Sequence, residues 1–239
     1  MPSFSSASTD HNLILLPRSK IPTAHLRRLV GVISPEMFDA FPRRHPGMSV
    51  WEAVTTGFDG GFVPRTSSAR KNQIEWVDVS DEEIDLPLPS LRLSMELERE
   101  DRREKIRQWR ISRCWEVLQC LGPASWIQAS QGSRPAEATR AFAILPFSSL
   151  SPGEQRLVLL MRTLVGRPPL ILLDEAWSGM DDNMIAAVRR YLRGEIINTD
   201  CGSDIRMLKG VDDTQAIIIV THWEEEVPWG GEEVLLFNL

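Results

Sequence analysis

The chain has little that would cross-link it covalently or carry it through a membrane. Its three cysteines, Cys114, Cys120 and Cys201, lack metal-ligand spacing, and their odd number argues against a disulfide framework. They fit a reducing compartment. The longest apolar runs are about five or six residues, far below the roughly 20 that span a bilayer, so no transmembrane segment and no transporter channel is expected. Basic excess is missing too: 27 Lys plus Arg face 33 Asp plus Glu, a net charge of -6, which argues against a nucleic-acid or anionic-membrane surface. The opening MPSFSSASTDHNLILLPRSK has neither the basic start and long apolar core of a secretory signal nor the Arg-rich, acid-poor make-up of a transit peptide. What remains is an acidic, soluble chain of 239 residues, 42% hydrophobic, sized for one domain or a large part of one plus an insertion. An intracellular and cytoplasmic location is expected, with a mitochondrial one left open.

The stretch Leu150 to Asp181, LSPGEQRLVLLMRTLVGRPPLILLDEAWSGMD, carries the densest information. Ser151 suits a helix N-cap, Pro152 the first helical position, and Glu154 the return contact of a capping box, just ahead of the apolar Leu157, Leu159, Leu160 and Leu164. A helix is expected there, its free N–H groups and positive dipole end directed outward to receive an anion such as a phosphate; an ordinary capped helix is the plain alternative. Gly166, Pro168 and Pro169 stop it. Leu170 to Leu173 then has the pattern of a parallel strand covered on both faces, and it ends in Asp174 and Glu175. Two adjacent carboxylates at the C-terminal end of a buried strand are costly unless they face a cleft, a metal ion or a positive partner. In nucleotide hydrolases the first such acid holds magnesium and the second orients or deprotonates the attacking water. A strand simply leaving the core for solvent is the plain alternative.

Taken in order, the cap, the helix, the Asp-Glu strand and Ser178 to Asp181 (SGMD) resemble the second half of an ATP-binding cassette (ABC) ATPase. LSPGE matches the signature loop, with Pro152 where Gly is usual and Glu154 where Gln is usual. Leu170 to Glu175 matches the Walker B strand and SGMD the D-loop. Ala216 to Val220 (AIIIV) reads as a second buried strand, and Thr221 with His222 matches the switch histidine after it. Glu224 to Pro228 and a closing strand Val234 to Leu239 are similar to soluble cassettes of the molybdenum-transport type. The resemblance runs from about Val30 to the end and is to the C-terminal part of one cassette.

This resemblance implies ATP and Mg2+ as ligands. Asp174 would help hold the magnesium, Glu175 would polarise the attacking water, and His222 would bridge the terminal phosphate to Asp181 of a facing unit. Ser151 and the backbone of Gly153, with Glu154 beside them, would close over the nucleotide of the opposite site. It also implies a second cassette as partner, in a homodimer or with a tandem or different chain, because each composite site pairs one unit's phosphate loop with the other's signature loop.

That phosphate loop is absent. No run of the form G-x-x-x-x-G-K-S/T, whose N–H groups and Lys cradle phosphates, occurs in the sequence. Two readings follow: a truncated or incomplete soluble ABC ATPase, or a non-catalytic partner that supplies LSPGE to another chain's ATP. An unrelated α/β domain with coincidental motifs is the bland third.

Elsewhere, Leu29 to Ser34 reads as a short strand. In the family it leads into the Q-loop; Pro35 takes the matching place without a side-chain donor or acceptor, and Glu36 would substitute as a magnesium ligand, against the plain alternative of an exposed turn acid. Ser49 and Glu52 form a second capping box that opens a helical subdomain. Gly57 to Gly61 is too short and Lys-free for a phosphate loop and reads as a turn. Pro64 to Pro89 reads as a loop or partly disordered insertion. Ser94 to Gln108 is a mixed-charge helix with a solvated face, in which Glu100 and Glu104 pair with Arg103, Lys105 or Arg107. Ile111, Trp115, Leu118 and Leu121 recur at helical spacing before Gly122 and Pro123. Met184, Val188, Tyr191 and Leu192 mark a crossover helix, and Asn198 to Gln215 a surface insertion.

The expected division is an N-terminal segment 1–28 and a partial ABC ATPase domain 29–239. Within it, 49–148 is a helical subdomain with a charged insertion at 64–110, and 149–239 is the core with signature, Walker B, D-loop and switch histidine. The fold class is α/β, P-loop NTPase-like, a mostly parallel sheet wrapped by helices with the N-terminal part of the fold missing. One sheet edge and the phosphate pocket would then stand open, with marginal stability or a need for a partner.

Overall fold

The computed structural model describes residues 28–41, 48–59, 74–75, 77–84, 98–126, 135–195, 197–198, 207–208, 210–211, 214–222 and 226–230. Segment 1–27, most of the loop expected at Pro64 to Pro89, and the closing strand expected at Val234 to Leu239 lie outside the described residues.

Three strands make the central sheet: β1 (Val30–Ile33), β2 (Leu170–Asp174) and β5 (Ala216–Val220), all parallel in the order β1-β2-β5. A separate antiparallel pair, β3 (Ile197–Asn198) with β4 (Met207–Leu208), falls within the expected surface insertion. The helices are α1 (Pro35–Ala40), α2 (Val50–Thr55), α3 (Asp81–Ile84), α4 (Arg99–Leu121), α5 (Pro123–Trp126), α6 (Pro135–Ile144), α7 (Pro152–Val165) and α8 (Asp182–Leu192).

The central element is α7. Leu157 to Val165 are buried without a break, so this helix lies between two layers rather than along a surface. Toward the sheet, the Thr163 hydroxyl donates to the Val32 carbonyl, and a Cβ on Gly31 would stand 2.9 Å from Thr163. Toward the helical layer, Arg162 donates to the Thr56 hydroxyl at 2.8 Å. Buried Arg113 of α4 caps the C-terminal end of α7 through the Leu164 and Val165 carbonyls and donates to Tyr191 of α8. Burial alone would lower its pKa; Tyr191 and Glu116 outweigh that and raise it.

The structure corrects three expectations. The mixed-charge helix and the apolar stripe after it are one helix, α4, because nothing between Gln108 and Ile111 breaks it. Its first half pairs Arg103 with Glu100 and Arg107 with Glu104 as expected, yet is not a wholly solvated face: Arg102, Ile106 and Arg110 are buried, and Arg110 lies over the Phe58 ring. Within the expected loop, Asp81–Ile84 is a helical turn anchored by fully buried Ile84.

The third correction concerns the sheet, which among the described residues is covered on one face only. The rows Gly31, Ile171, Ile217 and Ile33, Leu173, Ile219 face the helices. The alternate rows, Val30, Leu170, Ala216 and Val32, Leu172, Ile218, with Val220, are half-buried or exposed; Ile218 is 50% and Val220 45% exposed. The cause is topological. Both crossovers advance in the same direction along the sheet, and crossovers of one hand then place their helices on one face. A wholly apolar strand sequence states that both faces want cover, without saying where the second cover comes from.

Candidate functional site

The expected site residues fall into two groups joined by one turn. Asp174 ends β2 and Glu175 follows it, its N–H extending the sheet by bonding to Val220 O at 3.1 Å. Glu175 has φ 47, a left-handed conformation that costs a non-glycine residue about 1 kcal/mol. The turn behind it is fixed by Met180 N–H to Trp177 O, with Ser178 N–H 3.4 Å from Glu175 O. His222 follows the neighbouring strand, and its Nε2 lies 3.2 Å from Glu175 Oε1. Parallel pairing therefore brings two residues far apart in sequence to one edge.

The second group surrounds the start of α7. Ser151 is the N-cap, Pro152 the first helical residue, and the capping box is complete: Ser151 accepts the Glu154 N–H, while the Glu154 carboxylate takes the Ser151 N–H at 2.8 Å and hydroxyl at 2.7 Å. The expectation of free N–H groups here is corrected in part, since an internal carboxylate already sits on this helix end. Gly153 is required by packing; its Cβ would stand 2.3 Å from Gly179 O, which seats the signature turn against the SGMD turn. Gly179 itself has φ 78. Asp181 is the N-cap of α8, accepting the Met184 N–H at 2.8 Å.

Glu36 follows β1, whose last residue Ile33 pairs with Leu173, so it lies beyond the same sheet edge as Asp174. It is exposed in the first turn of α1, where Ser34 and its own backbone N–H hold its carboxyl below the usual range. Among the described residues no three His, Cys, Asp or Glu side chains converge as a metal cage.

Sequence reasoning missed three neighbours. Arg156 stacks on Phe38, 4.5 Å from the ring centroid, and approaches Glu175 O at 3.5 Å, tying α7 and α1 to the acid turn. An Arg in the second turn of a helix carries no periodicity signal that separates it from a solvated one. Trp177 is buried, and among the described residues its indole N–H finds no acceptor.

The Asp-Glu pair after one strand and the His after the next lie at the C-terminal edge of a parallel sheet, where open α/β sheets place their ligands. No family model matches the chain. Parts of it are similar to ABC transporter ATP-binding proteins. It is 31% identical over 83 residues to an uncharacterized ABC transporter ATP-binding protein of Schizosaccharomyces pombe, covering 35% of this chain and 14% of that protein. It is 37% identical over 87 residues to the ABC transporter ATP-binding protein ModF of Escherichia coli, 36% of this chain and 17% of the relative. It is 40% identical over 72 residues to the zinc import ATP-binding protein ZnuC 2 of Hahella chejuensis, 30% of this chain and 28% of the relative. The chain thus spans less than a third of each of these relatives. The likeness is to ABC transporter ATP-binding proteins, and in these three it covers about a third of this chain. No described helix is long and apolar enough to cross a membrane.

Proposed function

We propose that this chain contributes the acid-and-histidine half of an ATP-binding and ATP-hydrolysing site of the ABC type, acting with a second cassette and with a phosphate loop from outside these 239 residues. The reading includes its likeness to the C-terminal part of one cassette of the soluble molybdenum-transport type, and a cytoplasmic location. The observation that carries it is the 3.2 Å contact between Glu175 and His222.

With a proton on Nε2, His222 would donate to the Glu175 carboxylate and orient it. Glu175, 45% exposed on its side chain, has room to accept a proton from an attacking water. Asp174 offers the carboxylate for magnesium. Magnesium fits an arrangement of one or two carboxylates completed by phosphate and water oxygens. When bound, it would neutralise phosphate charge. Glu36 serves as a second acid. Ser151, Gly153 and Glu154 face the partner's nucleotide, and Asp181 holds the turn between the two groups.

The test is ATP turnover by the chain mixed with an intact cassette. Glu175→Gln is expected to lower turnover about 100-fold while nucleotide binding persists; unchanged turnover sinks the reading. The missing phosphate loop favours a second reading, a non-catalytic partner that lends its signature loop. In that case Ser151→Ala lowers the intact cassette's turnover and Glu175→Gln does not.

A further inference from the structure

Between α5 and α8 lies a cavity of about 740 Å³, a size that holds small ligands, and it shares no residue with the acid and histidine group. Along one face of α8 its wall changes character in three steps. Asp182 stands at the N-terminal end, Ile185 one turn on, and Arg189, Arg190 and Arg193 at the C-terminal end. From Asp182 to Arg189 is about 10 Å along the axis, at about 1.5 Å per residue. Trp126 lines the same cavity, and its indole N–H is already held by Leu121 O at 3.0 Å, so what it offers a ligand is the ring. The arginines are anchored. Arg190 donates to Ser125 O at 2.8 Å, and Arg193 donates through Nε to Pro228 O at 2.6 Å while pairing with Glu195 at 3.3 Å. These bonds fix both guanidinium planes and leave further N–H groups of each fork for another acceptor. A helix dipole welcomes cations anywhere in the last turn, which does not account for three of them lining one cavity.

We infer that this cavity binds a purine nucleoside monophosphate, its phosphate on Arg190 and Arg193, its ring against Trp126 and Ile185, and its base edge on Asp182, which favours guanine. Each part of the wall narrows the class. Guanidinium forks match phosphate oxygens, which they take in bidentate pairs. Inorganic phosphate would satisfy them and leave the apolar wall and Asp182 unused. An acidic peptide would bring further carboxylates toward Asp182. The span along α8 suits the separation of a base edge from its 5′-phosphate. Guanine presents two adjacent N–H donors that a carboxylate accepts together, whereas adenine turns a ring-nitrogen acceptor toward it, leaving both lone pairs unmatched. The inference stands independently of the ATP reading, because Asp174, Glu175 and His222 take no part in it.

The experiment is a calorimetric titration of the 239-residue chain with GMP, AMP, guanosine and inorganic phosphate. GMP is expected to bind at least tenfold more tightly than each of the others. Arg190→Gln, at an exposed site, is expected to weaken GMP binding at least tenfold, and Arg193→Gln several-fold. Asp182→Asn, also exposed, should remove most of the preference for GMP over AMP, since the phosphate contact common to both remains. Unchanged far-UV circular dichroism confirms that the variants fold. Three results overturn the inference: no GMP binding by the folded chain at about 1 mM, AMP or inorganic phosphate binding as tightly as GMP, or GMP binding that Arg190→Gln leaves untouched. GMP binding abolished by Glu175→Gln overturns it too, because the nucleotide would then sit at the acid turn.

Discussion

Two helices of this chain begin with the same four-residue device in opposite surroundings. α2 opens after Ser49 with Glu52 three residues on, and α7 opens after Ser151 with Glu154; in both, serine and glutamate exchange hydrogen bonds across the first turn. Around α2 the device is sealed: Ser49 is buried and bridges to Pro146, and Val50 N–H bonds to Leu145 O at 2.9 Å. Around α7, Ser151 and Pro152 are exposed. Local chemistry decides where a helix starts. Burial decides whether that start can meet anything else, so one box is sealed scaffold and the other stays accessible.

The largest test of this contrast lies in the glycines that seat the two helices. A Cβ on Gly57, just beyond α2, would stand 2.0 Å from Arg162 O, the main chain of buried α7. Gly57→Ala is expected to cost about 3 kcal/mol in urea unfolding, because neither helix can give way. Gly153 meets Gly179 O at 2.3 Å, but that carbonyl belongs to a surface turn. Gly153→Ala should cost nearer 1 kcal/mol, the low end for overpacking, while displacing the turn that follows Glu175. Equal losses would show the turn to be as rigid as the core.

The serines give the next smaller effect. Ser49→Ala strands the Glu52 N–H in a buried setting and is expected to cost about 2 kcal/mol, whereas Ser151→Ala leaves water as a substitute and should cost about 1 kcal/mol or less. Matching values would mean that burial adds nothing to the cap. Both midpoints should move without a change in m.

How much of this was legible in the sequence follows the same division. Both capping boxes, the strands at Val30, Leu170 and Ala216, and the stop at Gly122 are local, and residue type with spacing expresses them directly. The contact of Glu175 with His222 was not legible, since strand register carries it and no periodicity does. The single covered face among the described residues was not legible, because an unbroken apolar run reports demand for burial and strand order decides the supply. Arg156 on Phe38 was hidden for a related reason: a cation over a ring depends on how α7 sits against α1.

At the acid turn, stability and chemistry should part company. Glu175 at φ 47 sits where glycine is at ease, so Glu175→Gly is expected to leave the fold intact or raise stability by up to about 1 kcal/mol while abolishing any Glu175-dependent turnover. A clear loss of stability would instead make the carboxylate structural, through His222.

The smallest effect separates the two boxes most finely. The Glu154 carboxylate places a negative charge on the N-terminal end of α7, where it favours the helix dipole and opposes any arriving anion. Glu154→Gln keeps an oxygen for the Ser151 N–H and removes only the charge. Unfolding stability should fall by about 0.5 kcal/mol, while stabilisation by added phosphate should grow, because the helix end then offers a net positive field. Glu52→Gln makes the same chemical change at the sealed helix. It should cost more, since the half-buried amide must satisfy an extra N–H pair in the space left by an oxygen, and it should leave the phosphate response unmoved. A phosphate response that grows in both variants, or in neither, would mean that exposure of the cap does not decide what the helix end can meet.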